Sequence, residues 1–232
     1  MAWTLSDIRE KVESDLDLQD EQFIDPDEFK SYVNAAIREA EAEIHKLNLE
    51  DQYFLSHAFI ELSTGVGEYA LPEDIYATKI RSIQYDREDK SYEILRFRGK
   101  KAFEDFLYWR RYGTETTDYK YMLTNVRGVG PRIAIAPKSF ETSSEVVTVW
   151  YIRNALELDA DTDECDIPEF INFILQFVKD ACKNKEVFTP DAPPSPALEK
   201  QRQLMIDTLT EQVPDGEAGA IIPDVSHYEE ST

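Results

Sequence analysis

Leu5, Ile8, Val12 and Leu16 recur at three- and four-residue spacing, the period of one helix face. Thr4 stands just before them, with Asp7 near the positive end of the helix, so the pattern predicts a capped N-terminus. Ile24-Asp25-Pro26-Asp27-Glu28 predicts a second start. Asp25 is its cap, Pro26 suits the first helical position, and Glu28 is placed to close a capping box. Phe29, Val33, Ala36, Ile37, Ala40, Ile44 and Leu47 continue as a buried face, with Glu39, Glu41 and Glu43 expected mostly on the other side.

The period then changes. Tyr53 to Leu62 is aromatic and β-branched enough for a strand, with a helix as the alternative. Tyr76 to Asp86 alternates, and Tyr92 to Phe97, Tyr119 to Asn125, Arg132 to Ala136 and Val146 to Arg153 also read as strands. Gly99 to Tyr112 interrupts them with a predicted helix. After Asp166 the helical period returns. Pro168 opens it, and Phe170, Ile171, Ile174, Phe177, Val178, Ala181 and Cys182 form a broad apolar face suited to the centre of a bundle. Asp191-Ala-Pro-Pro-Ser195-Pro is a stiff break, and Ser195 caps a last helix running to about Glu211. The order predicts an α+β fold: a helical bundle from the N- and C-terminal segments with an inserted antiparallel β-rich domain. The boundaries are 1–50, 51–154 with its helix near 99–112, 155–212, and an extended tail at 213–232.

Charge sharpens this picture. The chain of 232 residues carries a net −22, which argues against wrapping nucleic acid. Residues 79–138 nevertheless hold 14 basic against 8 acidic residues, a net +6. Opposite patches on one molecule suit head-to-tail self-association. The two cysteines, Cys165 and Cys182, form no framework and predict reduced thiols. The opening Met-Ala-Trp-Thr-Leu-Ser-Asp predicts no signal peptide, and the most apolar run, Phe170 to Val178, is too short to span a bilayer.

The motifs that suggest chemistry have simpler readings. Gly65-Val66-Gly67 and Gly128-Val-Gly130 lack the Gly-Lys-Ser/Thr of a phosphate loop and lie between strand-like runs, so both read as hairpin turns. Glu73-Asp74 offers a carboxylate pair for glycoside hydrolysis, but adjacent acids are common among 47. His45, His57 and His227 have no ligand spacing, and Asp159 to Glu164 lacks the glycine and closing glutamate of a calcium loop. Cys182 reads as core rather than nucleophile. Arg96, Arg98, Lys100, Lys101, Arg110 and Arg111, interleaved with aromatics, are candidates for a subunit or tail interface. No catalytic, metal or cofactor site is expected. Ile221, Ile222, Pro223 and Val225 form an apolar spot in the acidic tail, of the kind that docks on a partner.

Taken in order, four segments resemble the adaptor ring proteins beneath the portal of tailed bacteriophages, also called head–tail connector, head-completion or tail tubular proteins. These are the opening helices at Leu5-Ser-Asp-Ile-Arg-Glu-Lys-Val and Phe29-Lys-Ser-Tyr-Val-Asn-Ala-Ala-Ile, the turn Gly67-Glu-Tyr-Ala-Leu-Pro-Glu-Asp-Ile, the strands Ile133-Ala-Ile-Ala-Pro137 and Val147-Thr-Val-Trp-Tyr151, and the late helix opening at Asp166-Ile-Pro-Glu-Phe. The resemblance covers roughly residues 5–185; the basic helix at 99–112 and the tail lie outside the match. It implies a virion protein forming a ring of about twelve copies between portal and a tail or nozzle protein, with DNA passing through the lumen unread and no membrane contact. The portal-docking segment is then the tail around Ile221 to Val225. The alternatives are a peptidoglycan hydrolase using Glu73 and a nucleic-acid-binding module using Arg110 and Arg111.

Overall fold

In the computed structural model, the structure describes residues 2–17, 24–63, 66–87, 90–97, 104–106, 108, 119–126, 130–136, 146–186 and 193–213. The fold is α+β, and the chain divides into two compact units. Unit 1 comprises residues 1–53 and 155–232, and unit 2 comprises residues 54–154.

Unit 1 is helical. Its elements are α1 (Leu5–Leu16), α2 (Pro26–Lys46), the short α3 (Glu50–Tyr53), a 3-10 turn (Pro168–Phe170), α4 (Ile171–Glu186) and α5 (Pro196–Gln212). The helix starts follow local chemistry. Thr4 and Asp7 form a reciprocal capping box, and the bonds from Thr4 hold the Asp7 carboxyl below its ordinary range. Asp25 accepts from the Asp27 N–H, and Ser195 from Leu198 N–H. Glu28 departs from expectation. Instead of closing a box it accepts from the Tyr32 hydroxyl at 2.6 Å and from Lys185 of α4. A cation from another helix outbids a backbone N–H for this carboxylate.

α4 is the centre of unit 1, packed on α1, α2 and α5. Phe173, Ile174, Leu175, Val178 and Cys182 are buried on it, as are Ile8 and Val12 of α1, Val33 and Ile37 of α2 and Leu209 of α5. Its width explains the position: apolar residues cover more than one face, so it is stable only with neighbours on several sides.

The extended segment 155–159 lies along α2 and is fixed by polar bonds. The buried Asn34 side chain donates to Leu158 C=O at 3.1 Å and accepts from Leu158 N–H at 2.9 Å. Glu41 accepts from the Ala155 N–H at 2.8 Å. Arg38 and Lys30 pair with Glu157 and Asp159. Residues 30, 34, 38 and 41 fall on one helix face, so the chain runs antiparallel to α2 and meets one of them per turn. Glu41, expected to face solvent, is therefore buried. Its partner is a backbone group more than a hundred residues away, which no local pattern reveals.

Unit 2 holds two four-stranded sheets around one core. One has the order β1 (Leu55–Glu61), β8 (Val146–Arg153), β3 (Ile75–Arg87), β4 (Lys90–Glu93). The other runs β2 (Glu68–Ala70), β7 (Gly130–Ala136), β6 (Lys120–Val126), β5 (Leu95–Arg96). Ile83, Tyr85, Val147, Val149 and Tyr151 of the first sheet meet Tyr69, Tyr121, Ile133 and Ile135 of the second. The segment expected as one strand over 92–97 divides. β4 pairs with β3, Ile94 turns into the core, and β5 joins the other sheet. The β5–β6 pair is parallel, a departure from the antiparallel expectation.

β3 contains a second departure. Ala77 and Thr78 have φ of 45° and 57°, in the left-handed region, and the register with β8 shifts twice between Ile75 and Ser82. Such a bulge reverses which alternate residues face inward. Ile80 packs on the core before the last shift; Ile83 and Tyr85 fill it after. Of the helix expected over 99–112, the structure describes only 104–106 and 108, which are helical. Phe106 is buried on the outer face of the second sheet, against Ala134, Phe97 and Met122.

Two stability predictions follow from these contacts. Asn34→Ala strips both bonds from a buried backbone pair and should cost roughly 2–4 kcal/mol, whereas Arg38→Ala, which breaks an exposed ion pair, should cost at most about 1 kcal/mol; urea unfolding of both variants measures the contrast. Thr78→Gly relieves a β-branched residue held at positive φ and should raise stability by about 1 kcal/mol; an unchanged or lower urea midpoint would show that the bulge carries no strain.

Candidate functional site

The two Gly-x-Gly motifs play different structural parts. Val126 pairs with Gly130, whose φ is 83°, so the second motif joins β6 and β7 as a hairpin, with residues 127–129 outside the described set. The first motif does not make a hairpin. β1 and β2 lie in different sheets, and the chain crosses between them at 62–67. Tyr69 organises this crossing: its hydroxyl accepts from Ser63 N–H at 3.1 Å and donates to Val66 C=O at 2.9 Å. Gly67 C=O accepts from Ile135 N–H at 3.0 Å. The glycine offers a carbonyl to a strand, where a phosphate loop presents converging N–H groups.

Glu73 and Asp74 form an exposed turn after Pro72. Asp74 is engaged structurally. It accepts from the Tyr151 hydroxyl at 2.9 Å, and its carbonyl accepts from Asn154 N–H at 2.7 Å. Burial, and then Asp74, raise the Tyr151 hydroxyl above its ordinary range.

The acidic loop at 159–164 also serves the fold. Asp163 accepts from the N–H groups of Asp159 and Ala160, both at 2.8 Å, and these bonds hold its carboxyl below the ordinary range. The loop carbonyls of Asp161 and Asp163 accept from Ser6 and Leu5 at the start of α1, and Asp161 pairs with Arg9 at 3.1 Å. The loop therefore satisfies first-turn N–H groups that a helix leaves open. Among the described residues no group of three His, Cys, Asp or Glu side chains is placed to hold a metal.

Both cysteines are buried. Burial pushes the Cys182 thiol up to about 12 and the Cys165 thiol up to about 11. The His45 side chain, 6% exposed, lies at the end of α2, 3.7 Å from Glu41 and 4.0 Å from Glu50. His57 stands on β1, its ring 5.0 Å from Trp150 and 5.3 Å from Phe59.

Of the six basic interface candidates, the structure describes Arg96 alone, exposed on β5. Arg98, Lys100, Lys101, Arg110 and Arg111 lie outside the described residues, as do Ile221, Ile222, Pro223, Val225 and His227. Other cations of unit 2 lie against aromatic rings: Lys120 is 5.8 Å from the Phe97 centroid, and Lys79 is 5.2 Å from Tyr76. The structure adds a surface that the sequence reading missed. On the outer face of β1, Leu55 and Phe59 are 43% and 66% exposed, and Val146 at the start of β8 is 38% exposed. Charge also divides with the units. Unit 2 holds 15 Lys and Arg against 14 Asp and Glu, a net +1, while unit 1 holds 10 against 33, a net −23.

The chain thus joins a helical unit with acidic excess to a near-neutral two-sheet unit, and both expose apolar side chains. The chain belongs to the SU10 adaptor protein family, whose model matches residues 3–219. The protein is thus a phage adaptor of the virion, a structural component that meets other head or tail proteins. No curated protein sequence matches the chain. Among the described residues no helix is long and apolar enough to cross a membrane.

The buried thiols give a direct test. In the native protein at neutral pH, Cys165 and Cys182 should resist an aromatic disulfide reagent that labels both promptly in urea, because raised pKa values and burial leave almost no accessible thiolate. Rapid native labelling of Cys182 would contradict its place inside unit 1.

Proposed function

We propose that this adaptor forms a ring between the portal vertex and the tail, with about twelve copies enclosing a channel for DNA. The observation that carries the reading is the family match over residues 3–219. The division of charge supports it. A surface drawn from the −23 unit repels phosphate, so DNA in the channel slides without adhering. The protein acts mechanically, completes and stabilises the packaged head, and turns over no substrate.

In this reading the basic residues Arg96, Arg98, Lys100, Lys101, Arg110 and Arg111 belong to the contact with a neighbouring copy or a tail protein. The C-terminal segment holds the portal through Ile221, Ile222, Pro223 and Val225. An apolar cluster in an acidic segment supplies contact area while the surrounding charge keeps the free protein soluble.

Electron microscopy of the full chain mixed with its phage's portal protein should show a closed ring seated on the portal; bare portals at saturating adaptor would refute the reading. Removal of residues 213–232 should abolish co-sedimentation with the portal while leaving the thermal unfolding midpoint unchanged. Undiminished co-sedimentation would place the docking segment elsewhere.

A further inference from the structure

Unit 2 exposes apolar side chains on the outer faces of both its sheets. In β1 the alternation sends Leu55, His57, Phe59 and Glu61 outward, while Ala58 and Ile60 pack on the core. β8 aligns its outer row with them: Trp150 opposite His57, Thr148 opposite Phe59, and Val146 opposite Glu61. β1 lies at the edge of its sheet. On the other sheet, Leu95 of the edge strand β5 stands opposite Lys120 and is 55% exposed. Beyond the Phe97–Phe106 ring pair, whose centroids are 5.8 Å apart, Tyr108 is 67% exposed.

We propose that these two faces are the two halves of one head-to-tail contact between copies of the chain. The Leu55–Phe59–Val146 face of one copy packs on the Leu95–Tyr108 face of the next. The inference deepens the ring reading and rests on it, since it names the surfaces through which neighbours meet.

Three observations converge on a second copy as the occupant. The patches lie on opposite sides of one sandwich, because each belongs to the outer face of a different sheet around a shared core. A two-fold contact uses one self-complementary patch and leaves the other bare, whereas a heterologous contact buries both in every copy. Each face also offers a charge to the other: the first ends in the exposed carboxylate of Glu61, and the second carries Lys120 opposite Leu95. Finally, unit 2 is nearly neutral at +1 while unit 1 carries −23, so copies repel one another least through unit 2, which carries both of these faces.

Cysteines placed at Phe59 and Leu95 of the full chain test the contact, because native Cys165 and Cys182 are buried. With a short bismaleimide, the chain carrying both F59C and L95C should give a ladder of covalent multimers. Each single variant alone should remain monomeric on a denaturing gel, and a mixture of the two should stop at dimers. Dimers from F59C alone would overturn the head-to-tail arrangement. Glu61→Arg and Lys120→Glu should each slow cross-linking about threefold, and their combination should restore it. Sedimentation of the wild-type chain, with and without portal protein, separates the two levels of inference. Oligomers that yield no link between positions 59 and 95 would overturn this contact and leave the ring standing. A chain that stays monomeric in both conditions would overturn the ring and the contact together.

Discussion

The N–H of Arg153 donates to the C=O of Phe54 at 3.0 Å, and the rest of the chain's organisation depends on that closure. Unit 1 is built from two stretches of sequence separated by the 101 residues of unit 2. Joining them through a flexible loop of that length would cost closure entropy, which grows with the logarithm of loop length. Here the loop is a folded body whose ends are bonded to each other. The pairing of Leu55 with Ile152 continues the same ladder inward. The two stretches of unit 1 are therefore delivered side by side, as happens where a domain is inserted at a point with adjacent termini.

Within unit 1 the returning chain needs a register, and buried polar bonds supply it. Leu158 is buried, and its N–H and C=O lie where no strand can pair with them. The Asn34 amide presents one donor and one acceptor and satisfies both. A shift of the segment by one residue would leave these groups unmatched and Glu41 without the Ala155 N–H, a penalty larger than any surface ion pair along the same face could offset. The apolar core of α4 drives the assembly of the helices. Asn34 and Glu41 determine which residue of the return segment sits where.

What the sequence revealed and concealed divides along sequence distance. The caps at Thr4, Asp25 and Ser195 act on backbone groups two or three residues away, so local pattern suffices to find them. The helices they start, and the strands at Tyr119–Asn125, Arg132–Ala136 and Val146–Arg153, lie within a residue or two of their expected limits. Glu28 and Glu41 were assigned by local rules but are claimed by distant partners, Lys185 and Ala155. The bulge at Ala77–Thr78 carries no glycine to announce it, and it inverts the alternation that the rest of β3 obeys. The two Gly-x-Gly motifs look alike, yet one joins paired neighbours and the other crosses between sheets, because pairing partners are set by the whole topology.

The functional surfaces were legible in part for the same reason. The order of several weak motifs pointed to a phage adaptor, and each motif is local. Which surface of unit 2 stays bare is not local. Leu55, Ala58, Phe59 and Ile60 put apolar residues on both sides of β1, so alternation alone leaves two candidate core rows. The decision comes from β8, whose Val147, Val149 and Tyr151 form an unbroken inner row that Ala58 and Ile60 must join. Once that row is fixed, Phe59 is forced outward although it is the larger apolar group. A protein that keeps an aromatic side chain on an edge strand in water gives up burial that a swap with Ile60 would recover. That cost is offset when a second body covers the strand, as the proposed contact between copies would do.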